Sequence, residues 1–127
     1  VTLEKNVFCG PSMVFTNVFT PRAFISREKR YSHTLVKRGV TIGANATILC
    51  GITIGEFAFI GAGSVVLKDV KPHALLVGNP GRQIGWVNDF GSKMPLPVKG
   101  NDDFKCTETG HLYQLRGDKL SKQTDVT

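Results

Sequence analysis

The stretch VKRGVTIGANATILCGITIGEFAFIGAGSVVLKDV, residues 36–70, decides the fold because it repeats every six residues. Branched aliphatics Val36, Ile42, Ile48, Ile54, Ile60 and Val66 occupy one position of the hexad, and Val40, Ala46, Ile52, Ala58, Ser64 and Val70 follow each by four. The position between them holds Gly39, Asn45, Gly51, Phe57, Gly63 and Asp69, mostly types that tolerate a left-handed backbone turn. Phe57 is the residue that breaks this column.

A helix needs apolar residues at alternating spacings of three and four, and this density of glycine would weaken one. A strict period of six fits instead a short flat strand ended by a corner at equal intervals, the hexapeptide form of a parallel β-helix. Three such sides close one coil, so equivalent residues recur about eighteen positions apart. Val36 is then expected to stack on Ile54, Ile42 on Ile60 and Ile48 on Val66. Each buried aliphatic contributes roughly 1.5–3 kcal/mol before ordering costs, and stacked backbones satisfy one another's polar groups.

Working outward, Leu3, Cys9 and Phe15 sit at hexad starts, with Val7 and Met13 four behind the first two. The gap from Phe15 to Val36 is not a multiple of six, so an excursion from about Asn17 to Leu35 must leave the prism. It holds the basic residues Arg22, Arg27, Lys29 and Arg30, with Tyr31 and His33 between these and Lys37 and Arg38. Loops that leave a rigid scaffold are where binding residues concentrate. The chain opens at Val1 in mid-pattern, and a solenoid end needs a cap, so further coils are expected upstream.

The 127 residues suit one domain, with neither a long apolar span nor a signal-like start, so no membrane insertion is expected. The formal charge of +6 is concentrated in the loop and tail without an aromatic–basic recognition motif, which favours phosphates of small ligands over nucleic acid. Cys9, Cys50 and Cys106 are odd in number and widely spaced, which fits reduced cysteines in a cytoplasmic protein.

Several blocks carry a resemblance: CGPSMVFTN at 9–17, Pro21-Arg22, TLVKRG at 34–39, IGANAT at 42–47 and GNPGRQIGW at 78–86. Over about Val1 to Trp86 the chain resembles the left-handed β-helix sugar N-acetyltransferases. The look is closest to the bacterial enzymes that acetylate the 3-amino group of UDP-2-acetamido-3-amino-2,3-dideoxy-glucuronate in surface-polysaccharide assembly. The hexads are common to all hexapeptide acyltransferases, while the blocks flanking the loop are more particular to the nucleotide-sugar branch.

That resemblance implies an all-β chain with a β-helix acyltransferase domain over 1–86 and a C-terminal extension over 87–127. It also implies a cytoplasmic homotrimer, acetyl-CoA as acyl donor in a groove between subunits, and a UDP-amino-sugar acceptor near the loop. Asn17 would position the acceptor amine, while Arg22, Arg27 and Tyr31 would face the nucleotide sugar, guanidinium forks suiting carboxylate and phosphate oxygens. Gly61, Ala62, Gly63 and Ser64 would line the pantetheine channel, with Asn79, Arg82 and Lys68 beside the nucleotide of CoA.

The chemistry is attack of an amine on a thioester, and a neutral amine already carries a lone pair. Such a site needs positioning and a main-chain donor for the developing oxyanion, not a strong base. Transfer to a hydroxyl would recruit a histidine. Of His33, His73 and His111, none sits inside a repeat that would fix it, so N-acetylation is favoured, with His33 the candidate for proton transfer. The alternatives are an O-acetyltransferase of the same fold and a truncated, non-catalytic β-helix.

A carbonic anhydrase would need several converging histidines around zinc, which three scattered ones do not supply. An ice-binding ladder is excluded because the coil-equivalents of Thr41, Thr47 and Thr53 are Phe59, Val65 and Lys71. In the tail, where the resembling family can carry cysteine pairs, Cys106 stands alone, and with His111 it does not make a four-ligand metal site. A short strand is expected over residues 112–115, and fraying from Ser121 onward.

Overall fold

The computed structural model describes residues 1–26 and 31–124. Among them there is no helix; every regular element is a strand. The two-residue strands β1 (Thr2–Leu3), β2 (Phe8–Cys9), β3 (Val14–Phe15), β4 (Leu35–Val36), β5 (Thr41–Ile42), β6 (Thr47–Ile48), β7 (Thr53–Ile54), β8 (Phe59–Ile60) and β9 (Val65–Val66) follow the hexads. They wind into a left-handed parallel β-helix whose three walls are β1-β4-β7, β2-β5-β8 and β3-β6-β9.

Register follows the sequence period. Val36 pairs with Ile54, Ile42 with Ile60 and Ile48 with Val66. The opening strands continue the same columns, Leu3 on Val36, Cys9 on Ile42 and Phe15 on Ile48. From Val36 to Ile60 the inward aliphatics have no solvent exposure, while their outward neighbours are half-buried.

The corners hold one correction. Phe57 does not break the left-handed column: its φ is +58°, beside Gly39 at +73°, Asn45 at +61°, Gly51 at +83° and Gly63 at +72°. The aromatic ring covers Gly39, where an added Cβ would stand 2.4 Å from it. The glycine there is needed for space as well as for backbone conformation. Asp69 does not take the left-handed turn; its carboxylate instead accepts a hydrogen bond from the Thr53 amide at 2.8 Å.

After the last hexad, β10 (Ala74–Val77) adds to β8 and β11 (Arg82–Trp86) returns antiparallel to it. A three-stranded antiparallel sheet follows, β12 (Gly100–Lys105), β13 (His111–Gly117) and β14 (Lys119–Thr124), with β13 in the middle. The described part of the tail is therefore more ordered than expected from sequence: the strand over 112–115 is part of a longer one, and Ser121 to Thr124 lie in β14, while residues 125–127 of the expected frayed end lie outside the described residues. Trp86, Met94, Leu96, Tyr113 and Leu115 join the same core as the solenoid aliphatics. No helix of the described residues is long and apolar enough to cross a membrane.

Candidate functional sites

The excursion between β3 and β4 is pinned at both feet by a threonine. Thr16 Oγ1 accepts from the Cys50 amide at 2.9 Å, and the fully buried Thr34 accepts from the Gly51 amide at 3.1 Å. The Ser32 amide donates to the Asn17 carbonyl at 3.1 Å, and Val18 bridges antiparallel to Tyr31. A pocket of about 290 Å³ opens at this root, lined by Asn17, Val18, Pro21, Arg22, Ile25, Ser26 and Tyr31. An amide, a guanidinium and a phenol thus share one concavity, a set able to bind oxyanions and polar hydroxyls.

A larger cleft of about 710 Å³ lies between the last hexad and the segments that follow it. Its apolar floor includes Val66, Ala74, Leu76 and Val98, and its cations are Lys68, Lys71, Arg82 and Lys99. Lys71 is engaged by Asp118 at 2.7 Å. Among the described residues Lys68, Arg82 and Lys99 have no carboxylate partner. The 78–81 turn is held to β9 by hydrogen bonds from the Val65 amide to the Gly78 carbonyl and from the Gly81 amide to the Val65 carbonyl, both 2.9 Å. A Cβ on Gly81 would lie 2.6 Å from a Leu76 methyl and 2.8 Å from the Val65 oxygen, so this close seat excludes a side chain.

A third concavity of about 200 Å³ sits between the solenoid and the tail sheet, lined by Arg38, Glu56, Phe57, Pro72, His73, Leu120, Ser121 and Lys122. His73 is buried at φ +64° and its Nδ1 donates to the Val87 carbonyl at 2.9 Å. The ring stacks on Phe57 with centroids 5.4 Å apart, and Lys122 Nζ stands 4.1 Å from the Phe57 centroid. Burial, aided by the charge of Lys122, holds the His73 pKa below its ordinary value, against the pull of the Val87 hydrogen bond and the carboxylates of Asp89 and Glu56. Burial pushes the Asp89 carboxyl up, but the hydrogen bond and charge of Lys122, with His73 and the Tyr113 hydrogen bond, together leave that pKa lowered.

With this geometry in place, the chain can be set beside known proteins. Residues 33–68 match the family model "Bacterial transferase hexapeptide (six repeats)". Residues 33–68 are a hexapeptide-repeat segment. The hexapeptide-repeat chain is 48% identical over 64 residues to dTDP-3-amino-3,6-dideoxy-α-D-galactopyranose 3-N-acetyltransferase of Aneurinibacillus thermoaerophilus, covering 50% of this chain and 33% of that one. A hexapeptide-repeat acetyltransferase of Vibrio cholerae, solved with acetyl coenzyme A, superposes with a TM-score of 0.58 at 30% identity, over 66% of this chain and 48% of that one. A galactoside acetyltransferase solved with coenzyme A gives a TM-score of 0.60 at 28% identity, over 77% and 52%. The chain spans about a third of the first relative's length and about half of each solved structure.

Several residues singled out in the hexapeptide-repeat sequence come together. Asn17, Arg22 and Tyr31 line the excursion pocket, and Lys68 and Arg82 line the basic cleft. Arg27 lies outside the described residues. His33 is exposed, its Nε2 is 3.0 Å from Thr2 Oγ1, and it does not line the pocket. Gly61, Ala62, Gly63 and Asn79 lie beside the cleft in sequence without lining it, and the buried Ser64 turns its hydroxyl to the Gly61 carbonyl at 2.6 Å.

His73 corrects the expectation that no histidine is fixed by the scaffold: the tail, packed over the last coil, fixes it. That cluster was missed because its partners Asp89 and Lys122 come from distant segments with no spacing signal. The left-handed turn after Pro72 leaves no clear sign in a histidine. Cys106 is buried, and its thiol accepts from Asn88 Nδ2 at 3.5 Å.

Proposed function

We propose that this chain is the β-helix portion of an acetyl-CoA-dependent acyltransferase, transferring an acetyl group to the amino group of a nucleoside-diphosphate-linked amino sugar. In its finer form the reading takes a UDP-linked sugar, assembly as a cytoplasmic homotrimer, and a role in bacterial surface-polysaccharide synthesis. The observation that carries it is the gathering of Asn17, Arg22 and Tyr31 in one pocket at the root of the excursion. The likeness to a dTDP-amino-sugar N-acetyltransferase supports the same acceptor class.

The large cleft suits the donor. Its unpaired Lys68 and Arg82 fit phosphates, and the apolar floor accommodates the pantetheine arm. Acetyl-CoA, when bound, supplies the activated thioester. The protein's part is to hold the amine neutral and aligned, with the Asn17 amide as positioning partner and Arg22, Arg27 and Tyr31 gripping the nucleotide sugar. Gly61 to Gly63 and Asn79 would border the donor between cleft and acceptor. The 1–86 solenoid forms the transferase domain in this reading, with 87–127 as an extension packed on it.

A second reading, O-acetylation, has His33 behind it: Thr2 holds its ring beside the excursion, and the galactoside acetyltransferase shares the fold. A thiol-release assay on the purified chain with acetyl-CoA and a panel of UDP- and dTDP-linked amino sugars separates the two. The proposal expects CoA release with at least one amino sugar and none with its hydroxyl counterpart. Release only with hydroxyl acceptors would establish the second reading, and release with no acceptor would leave a non-catalytic solenoid.

A further inference from the structure

The far side of the basic cleft does not belong to the solenoid. Val98 and Lys99 line it from the tail, and the chain on either side of them is bolted down. Before them, Met94 and Leu96 are buried in the common core and the Pro97 carbonyl accepts from the buried Trp86 indole at 2.9 Å. After them, Gly100 at φ +142° opens β12 and pairs with Gly117. The next residue, Asp118, reaches back to Lys71 on the cleft at 2.7 Å. Lys99 is exposed, yet it springs from a backbone fixed on both sides, and among the described residues it has no carboxylate partner.

We infer that Lys99 is a donor-specificity residue that recognises the 3′-phosphate of coenzyme A, so that the tail makes the cleft selective for the full coenzyme over its dephospho form. The inference rests on the donor reading proposed above. Coenzyme A carries two separate anionic groups, a diphosphate in its chain and a monophosphate on the ribose. Lys68 follows β9 in the last hexad and Arg82 opens β11, the antiparallel strand after it, and these two cations are assigned to the diphosphate. A monophosphate dianion set apart from it needs another cation, and Lys99, delivered by a different segment, is the unpaired one that remains. An ammonium on a fixed backbone loses less freedom on binding than one on a mobile loop.

Calorimetric titration of the full chain with CoA and with dephospho-CoA, for wild type and Lys99→Gln, tests this. Lys5→Gln, an exposed cation of the opening coil that does not line the cleft, serves as control. Wild type should bind CoA about tenfold more tightly than dephospho-CoA, from one charge-assisted contact. In Lys99→Gln the CoA affinity should fall to the dephospho-CoA level while dephospho-CoA binding is unchanged. Equal weakening of both ligands, or of neither, would overturn the assignment of Lys99 while leaving the donor cleft standing. Failure of wild type to bind either ligand would overturn the donor reading itself, and this inference with it.

Discussion

Lys122 Nζ lies 2.8 and 2.7 Å from the two carboxylate oxygens of Asp89, joining the last strand of the tail to the segment that leaves the solenoid. Tyr113 also donates to that carboxylate at 3.1 Å and His111 Nε2 approaches it at 3.4 Å. With side chains 16% and 24% exposed, the pair is largely withdrawn from water, so removing one charge strands the other. Asp89→Asn should cost stability near the lower end of about 3–5 kcal/mol. Hydrogen exchange should quicken in β13 and β14 more than in β5 to β8; uniform exchange would contradict the anchoring role.

His73 makes stability depend on pH. Its folded pKa is depressed by burial below the ordinary 6.5, so the unfolded chain takes up a proton that the native state refuses. The stabilisation is full above about pH 6.5 and declines as pH falls toward the folded value, at up to about 1.4 kcal/mol per pH unit. Asp89, lowered below its ordinary 3.8, adds a further loss in more acid solution. Chemical denaturation between pH 7 and 5 should show the decline in wild type and a flatter profile in His73→Asn, which keeps a residue tolerant of the left-handed turn. Equal slopes would contradict the assignment.

Gly39 and Gly63 separate backbone strain from crowding. Both are left-handed, at +73° and +72°, but a Cβ at Gly39 meets the Phe57 ring whereas one at Gly63 meets nothing within 4 Å. Gly63→Ala should therefore cost about 1–2 kcal/mol, the strain alone. Gly39→Ala should cost clearly more, because the ring it displaces is wedged against His73. Thermal melts of the two variants decide it, and equal shifts would contradict the packing of Phe57.

If the excursion pocket holds the acceptor as proposed, Arg22→Ala removes a charge-assisted contact to it, worth about 1.5–3 kcal/mol. The fall in kcat/KM for the nucleotide sugar should be roughly 10- to 100-fold, with the KM for acetyl-CoA unchanged. A change confined to the acetyl-CoA KM would move Arg22 out of the acceptor site.

The solenoid was legible because its determinant is local: one aliphatic per six residues fixes the inward face, so the pairing of Ile42 with Ile60 follows from counting. The excursion was legible as a break in that count, whereas roles for Asn17, Arg22 and Tyr31 came from the resemblance and not from spacing; what the structure adds is that the three line one pocket. Phe57 was misread because its left-handed turn depends on the space above Gly39, a contact eighteen residues away. The tail was harder still. Its strands pair with each other and pack through Trp86 and Tyr113 onto the solenoid with no periodic signal, so neither the fixing of His73 nor the placement of Lys99 on the cleft could be read from spacing.

The most direct test is a crystal of the chain grown with CoA and a nucleotide-linked amino sugar together. The CoA phosphates should lie in the cleft beside Lys68 and Arg82, and the sugar nucleotide should occupy the pocket of Asn17, Arg22 and Tyr31. Its amino group should point toward the thiol. Both ligands bound at high occupancy elsewhere, with these two concavities empty, would contradict the acyltransferase account.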